Sequence, residues 1–129
     1  MKKLILLTIL AVFLTGCGSA QPTITDNGKP GQIKVTVFQD DNNNGQMDAN
    51  EKATAAEMVL LSTGDTCPPQ TINFTQKMTD EKGEVLFNNL KPGTYCTGYM
   101  GMSSTTTKIA VKVNVSSEET ATVYYGIIP

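Results

Sequence analysis

Apolar side chains in this chain recur at every second position, in short runs broken by turn residues, and no segment carries a convincing helical period. Ile33, Val35 and Val37 alternate with Lys34 and Thr36, and Val111, Val113 and Val115 alternate with Lys112 and Asn114. Such segments have one face to bury and one to wet, which is strand chemistry. Further strands are predicted over Glu57–Ser62, Thr71–Met78, Glu84–Phe87, Thr94–Met102, Thr107–Val115 and Thr120–Ile127, all rich in Thr, Val, Ile or Tyr. Turn residues separate them at Thr63-Gly64-Asp65, Cys67-Pro68-Pro69, Asp80 to Gly83, Lys91-Pro92-Gly93 and Ser116-Ser117-Glu118. About seven short strands in roughly 100 residues have the size and spacing of an all-β, antiparallel β-sandwich. With no Trp in the chain, Phe38, Phe74, Phe87 and the tyrosines are expected to supply the bulk of its core.

The sandwich does not start at the first residue. Met1-Lys2-Lys3 is a short positive region, and Leu4 to Leu14 is an apolar run far below the roughly 20 residues that span a bilayer. Leu14-Thr15-Gly16-Cys17 follows, and it resembles the lipobox of bacterial lipoproteins, whose Cys thiol is acylated and becomes the first residue. Residues 1–16 are thus read as a lipoprotein signal peptide, 17–31 as a lipidated Cys17 and a Gly-, Pro- and Ser-rich tether, and 32–129 as the sandwich domain. The resemblance implies a chain held on a membrane through Cys17, outside the cytoplasm of a bacterial cell envelope.

Charge and composition exclude several function classes. The chain has 10 Lys, no Arg and no His against 12 Asp and Glu, a formal net charge of -2. Lys2 and Lys3 belong to the leader, so the exported part is more acidic still, which disfavours nucleic acid as a partner. Without His, nucleophile pairs built on imidazole and His-containing zinc sites are unavailable. Asp40, Asp41 and Glu84 are expected to lie in solvated surroundings, without the burial that would tune one as an acid. The chain is therefore expected not to be an enzyme. Cys67 and Cys96 remain once Cys17 is assigned to the lipid, and an even number in an exported domain points to one disulfide. No C-x-x-C spacing supports a redox pair.

The stretch Asp40 to Glu51, DDNNNGQMDANE, matches a twelve-residue calcium loop. Asp40 stands at position 1, Asn42 at 3, Asn44 at 5, Gly45 at the position 6 bend, Gln46 at 7 through its carbonyl, Asp48 at 9 and Glu51 at 12. Alternate side chains of a tightly coiled loop converge, and a hard cation with six to eight oxygen ligands needs that convergence. Met47 at position 8 is expected to anchor the loop in the core. Because the loop leaves a strand and not a helix, the calcium is expected to cement the fold, without the helix opening of a calcium switch.

Beyond the loop, Thr79-Asp80-Glu81-Lys82-Gly83-Glu84-Val85-Leu86-Phe87 and Leu90-Lys91-Pro92-Gly93-Thr94-Tyr95 carry a second pattern. With Val35 to Gly45 they resemble the B-like domains of bacterial serine-aspartate-repeat adhesins, within the Cna-B and prealbumin-like sandwich group. The resemblance covers about residues 33 to 99, with Val85 where the family often has Tyr. It implies a calcium-stabilised extracellular sandwich, Ig-like or prealbumin-like, serving as a binding, adhesion or spacer module toward an unidentified extracellular protein or glycan. It also implies calcium ligation by Asp40, Asn42, Asn44, Gln46, Asp48 and Glu51. Related Cna-B domains carry a Lys-to-Asn crosslink; Lys34, Asn114 and Glu84 are its nominees here, but the usual acid is absent and no crosslink is expected. Tyr99, Tyr124 and Tyr125 are the aromatics on which a carbohydrate- or peptide-binding accessory role would depend. Met100 and Met102 are read as strand packing in preference to a copper site.

Overall fold

The computed structural model describes residues 22–68 and 73–129. The leader, Cys17 and the first four residues of the tether lie outside the described residues, as do residues 69–72. Among the described residues seven strands follow one another: β1 (Gly31–Gln39), β2 (Met58–Thr63), β3 (Thr75–Met78), β4 (Glu84–Leu90), β5 (Gly93–Tyr99), β6 (Ala110–Val115) and β7 (Thr120–Ile127). They form a three-stranded sheet in the order β4-β1-β7 and a four-stranded sheet in the order β3-β2-β5-β6. The alternation legible in the sequence is what these strands use. Ile33, Val35 and Val37 of β1, Val59 and Leu61 of β2, Val113 and Val115 of β6, and Val123, Tyr125 and Ile127 of β7 all point into one cluster between the sheets.

Every strand pair is antiparallel except β1 with β7, which run parallel from Gln32↔Thr120 to Gln39↔Ile127. The chain therefore enters the sandwich at one end of β1 and leaves β7 at the other. Nine residues of strand at about 3.3 Å each separate those ends by roughly 30 Å. The far end of β1 is buried on both faces, and the segment after the loop returns beside it, extending the sheet past the end of its pairing with β4. Gln39 N donates to Lys52 O at 2.8 Å, Thr54 N donates to Val37 O at 2.7 Å, and Phe38 bridges Ala53. Phe38 is thereby fully buried although it points away from the main core.

Cys67 and Cys96 are joined, with Cα atoms 5.4 Å apart, and the bridge staples the β2–β3 connection to β5. Closing a loop across a sequence separation of 29 stabilises by about 3–4 kcal/mol in the chain-entropy account.

The structure corrects several expectations. Phe74 is half-exposed ahead of β3 and is no core residue. β3 begins at Thr75, with 71 and 72 outside the described residues; β5 ends at Tyr99 and β6 begins only at Ala110. Met100 and Met102 consequently lie beyond the strand on the surface, Met102 fully so. Part of the stretch read as tether is docked on the β6–β7 turn. Ser117 N donates to Thr25 O at 2.9 Å, Asn27 N to Ser117 Oγ at 3.0 Å, and Lys29 Nζ pairs with Glu118 at 2.8 Å. Residues 25–29 are thus held by the domain and are not free tether.

Candidate functional site

Asp40 follows directly on β1, and its amide N donates to Ile127 O at 2.9 Å, so the loop starts pinned to the end of β7. From there the chain coils on itself through its own side chains. Asp40 Oδ1 accepts from Asn44 N at 3.0 Å and Asp40 Oδ2 from Gly45 N at 2.7 Å. Asn42 Oδ1 accepts from Asn44 N at 3.0 Å, and Asn44 Oδ1 from Gln46 N at 2.7 Å. These side-chain-to-backbone bonds two residues on are what short Asx side chains favour. Gly45 takes a φ of +74°, the left-handed bend required at position 6.

The loop is closed by its last ligand candidate. Glu51 Oε1 accepts from Asp41 N at 3.1 Å and Glu51 Oε2 from Asp48 N at 2.9 Å, so both oxygens of this carboxylate are turned into the loop. Asp48 Oδ2 receives the carboxamide nitrogens of Asn42 and Asn44 at 2.7 and 2.9 Å. The structure thus brings Asp40, Asn42, Asn44, Asp48 and Glu51 into one coil around the Gln46 backbone. Met47 does not act as the expected anchor, being 39% exposed.

Asp40 is fully buried and Glu51 is 8% exposed. Burial pushes the Asp40 carboxyl up, but the amides of Gly45, Asn44 and Asn43, with the Thr106 hydroxyl near them, outweigh it and hold the pKa below the ordinary carboxylate value. By geometry the Thr106 hydroxyl is buried with no hydrogen-bond partner among the described residues, so the amides of Asn44 and Gly45 are the firm contacts of this carboxylate. Among the described residues the ion pairs are Lys29 with Glu118 and Lys34 with Glu84, and neither reaches the loop. Nor do three or more Asp, Glu, Cys or His side chains gather into a metal-binding cluster among the described residues. The oxygen donors of this loop are instead a mixture of carboxylates, carboxamides and a backbone carbonyl.

Gly83 supplies the floor on which the loop's return segment lies. Asp80 Oδ1 accepts from Lys82 N at 2.9 Å and Glu84 N at 3.0 Å, and Gly83 N donates to Asp80 O at 2.9 Å, forming the tight β3–β4 turn. Gly83 O then accepts from Val37 N at 3.0 Å. Ala53 and Thr54, just after Glu51, pass so close that a Cβ on Gly83 would sit 2.5 Å from Ala53 Cβ. Tyr95, the last residue of the second pattern, is buried and donates through its hydroxyl to Lys91 O at 2.8 Å. These contacts give a physical reason for Asp80, Gly83 and Tyr95 in the pattern Thr79 to Tyr95.

A sequence profile of the SdrD B-like domain matches residues 31–124. The chain belongs to the SdrD B-like domain family. Colossin-A from Dictyostelium discoideum is 43% identical over 64 residues, which is 50% of this chain and, in round figures, 0% of that protein. The minor pilin GBS52 of Streptococcus agalactiae matches at a TM-score of 0.54 and 18% identity, over 78% of this chain and 46% of the pilin. The major pilin SpaD of Corynebacterium diphtheriae matches at a TM-score of 0.57 and 11% identity, over 83% of this chain and 34% of the pilin. At these identities the likeness to the pilins is one of fold. The chain spans less than half the length of either pilin and a negligible part of Colossin-A.

The remaining nominees fall apart in space. Lys34 Nζ pairs with Glu84 at 3.0 Å in one sheet, while Asn114 in the other accepts from Thr94 Oγ1 at 3.1 Å, so the three nominated crosslink residues do not meet. Tyr99 and Tyr125 are buried with ring centroids 6.1 Å apart. Tyr125 shares a hydrogen bond with Thr97 Oγ1 at 2.8 Å, and Tyr99 donates to Glu57 Oε2 at 2.7 Å. Only Tyr124 of the three faces solvent, as the two-residue side-chain period requires of adjacent strand positions. Sequence reasoning missed Thr106 and Gly126 behind Asp40. Nothing in GYMGMSSTTTK signals that role, since it depends on where the β5–β6 connection lands.

Proposed function

We propose that this SdrD B-like chain is a non-enzymatic, extracytoplasmic surface module of a bacterial cell envelope, stabilised by calcium in the Asp40–Glu51 loop and tethered to a membrane by lipid on Cys17. The observation that carries the calcium reading is the burial of two carboxylates, Asp40 and Glu51, with no cationic side chain paired to them among the described residues. Buried charge is costly unless it is paired or coordinates a metal, and here only N–H groups compensate it. The donor set fits a hard divalent cation. Asp40, Asp48 and Glu51 would supply three negative charges, Asn42 and Asn44 carboxamide oxygens, and Gln46 a carbonyl. The two carboxamides already flank one Asp48 oxygen through their nitrogens, while their oxygens are held by the amides of Asn44 and Gln46. A cation bound there would supply the countercharge and tie the end of β1 to the segment that returns beside it.

The adhesion, binding or spacer role rests on the family and on the topology. β1 and β7 run parallel, so one chain end emerges at each end of the sandwich, as a module carried between an anchor and a distal surface requires. Calcium binding is tested by melting the chain with chelator and with 1 mM calcium. For a dissociation constant of about 10⁻⁴ M the ion stabilises by about 1.4 kcal/mol, a rise of roughly 6 to 11 °C for a domain of this size. Glu51→Ala should abolish most of the rise, and 1 mM magnesium should give much less of it. Superimposed curves for the unmutated chain would reduce the stretch to a polar loop.

A further inference from the structure

The wall behind Asp40 is built by two segments far from the loop in sequence. Asp40 N donates to Ile127 O, Thr106 N donates to Gly126 O and Ile128 N donates to Ser104 O, each at 2.9 Å. Gly126 N donates in turn to Thr107 Oγ1 at 3.3 Å. The last turn of β7 is thus held between the first residue of the loop and the Ser104–Thr107 stretch. A Cβ on Gly126 would collide with Thr106 Oγ1, and it would lie 3.0 Å from the Phe38 ring and 3.2 Å from Asp40 Cβ. The Thr106 hydroxyl and the Asp40 side chain therefore converge on one glycine, where any larger residue would push them apart. Thr106 Oγ1 is buried there and has no hydrogen-bond partner among the described residues.

An unpaired buried hydroxyl is destabilising, and it sits beside the most deeply buried carboxylate of the loop. Both oxygens of that carboxylate already take loop amides, from Asn44 and Gly45. We propose that Thr106 is a positioning residue for the metal loop: its hydroxyl donates to the Asp40 carboxylate when the loop holds calcium, fixing the orientation of the position 1 ligand. The inference rests on the calcium reading above. Carboxylates that ligate a metal are oriented by outer hydrogen-bond partners, whose loss weakens binding about 10- to 100-fold. Thr106 is suited to that role because its hydroxyl has no other bond to break.

The experiment uses the full chain in detergent, titrated calorimetrically with calcium chloride and melted in chelator, as the unmutated protein, as Thr106→Val and as Thr106→Ser. Thr106→Val keeps the side-chain volume and removes the donor, so the calcium dissociation constant should rise about tenfold or more. The melting temperature in chelator should not fall, since the valine methyl replaces a hydroxyl that is unpaired without metal. Thr106→Ser, which keeps the donor, should retain affinity within about threefold of the unmutated chain. Equal affinities for the unmutated chain and Thr106→Val would overturn the Thr106 assignment while leaving the calcium reading intact. A lower melting temperature of Thr106→Val in chelator, failure of that variant to fold, or a serine variant as weak as the valine one would assign Thr106 to packing instead. An unmutated chain that binds no calcium removes the calcium reading itself, and the Thr106 role with it.

Discussion

Gly83→Ala is the substitution whose cost the structure specifies best, because two effects meet there and a second glycine separates them. Gly83 has a φ of +69° and Gly28 a φ of +81°. Placing a Cβ on either in the left-handed region costs about 1–2 kcal/mol. The reduced freedom of the unfolded chain returns about 0.4–1 kcal/mol of that. At Gly28 nothing lies within 4 Å of the new methyl, so Gly28→Ala should destabilise by about 1 kcal/mol or less. At Gly83 the methyl would sit 2.5 Å from Ala53 Cβ, 2.6 Å from Thr54 N and 2.8 Å from Ala53 C, and two of those three atoms are backbone. Backbone cannot swing aside as the end of a long side chain can, and forced overpacking of this kind adds about 1–3 kcal/mol. The sum at Gly83 is about 2–4 kcal/mol. At about 4–8 °C per kcal/mol for a domain of this size, Gly83→Ala should melt roughly 8 to 32 °C below the unmutated chain, and Gly28→Ala within about 8 °C of it. Circular dichroism melts in chelator keep metal binding out of the comparison. If the two variants melt within about 3 °C of each other, the close passage of Ala53 and Thr54 over Gly83 is not what demands glycine there.

Alkaline unfolding should be governed by the buried tyrosines. Burial pushes the Tyr125 phenol up to about 12, so the fold prefers its neutral form. That contribution is whole below the ordinary tyrosine pKa near 10 and is lost as pH rises through 12, by about 2 kcal/mol at pH 12. The stability gap between the unmutated chain and Tyr125→Phe, measured by urea titration, should therefore shift by that amount in favour of the phenylalanine between pH 9 and pH 12; a gap independent of pH contradicts the assignment. Cys17→Ser should abolish metabolic labelling by fatty acid and release the chain from membranes on carbonate washing. A serine variant that stays with the membrane refutes the lipobox reading.

Features that depend on near neighbours along the chain are legible before folding. Strand faces are set by a two-residue period, so Ile33, Val35, Val37, Val113 and Val115 are legible as core from their alternation alone. The loop Asp40 to Glu51 is legible because its bonds run between residues two to ten apart, as from Asn44 to Asp40 and from Asp41 to Glu51. Tertiary structure decided what depends on distant partners. β1 finds β7 in parallel register some 88 positions away, and no local pattern announces a partner or its direction. Phe74 was as apolar as Phe87, but one fell ahead of an edge strand and the other between the sheets. Residues 25–30 have the composition of a free tether, and their docking comes from Ser116, Ser117 and Glu118, reached only when the last turn closes. Thr106 and Gly126 behind Asp40 are the same case at the site. A hydroxyl and a missing side chain acquire their meaning from the space they share, and folding creates that space by bringing three separate segments together.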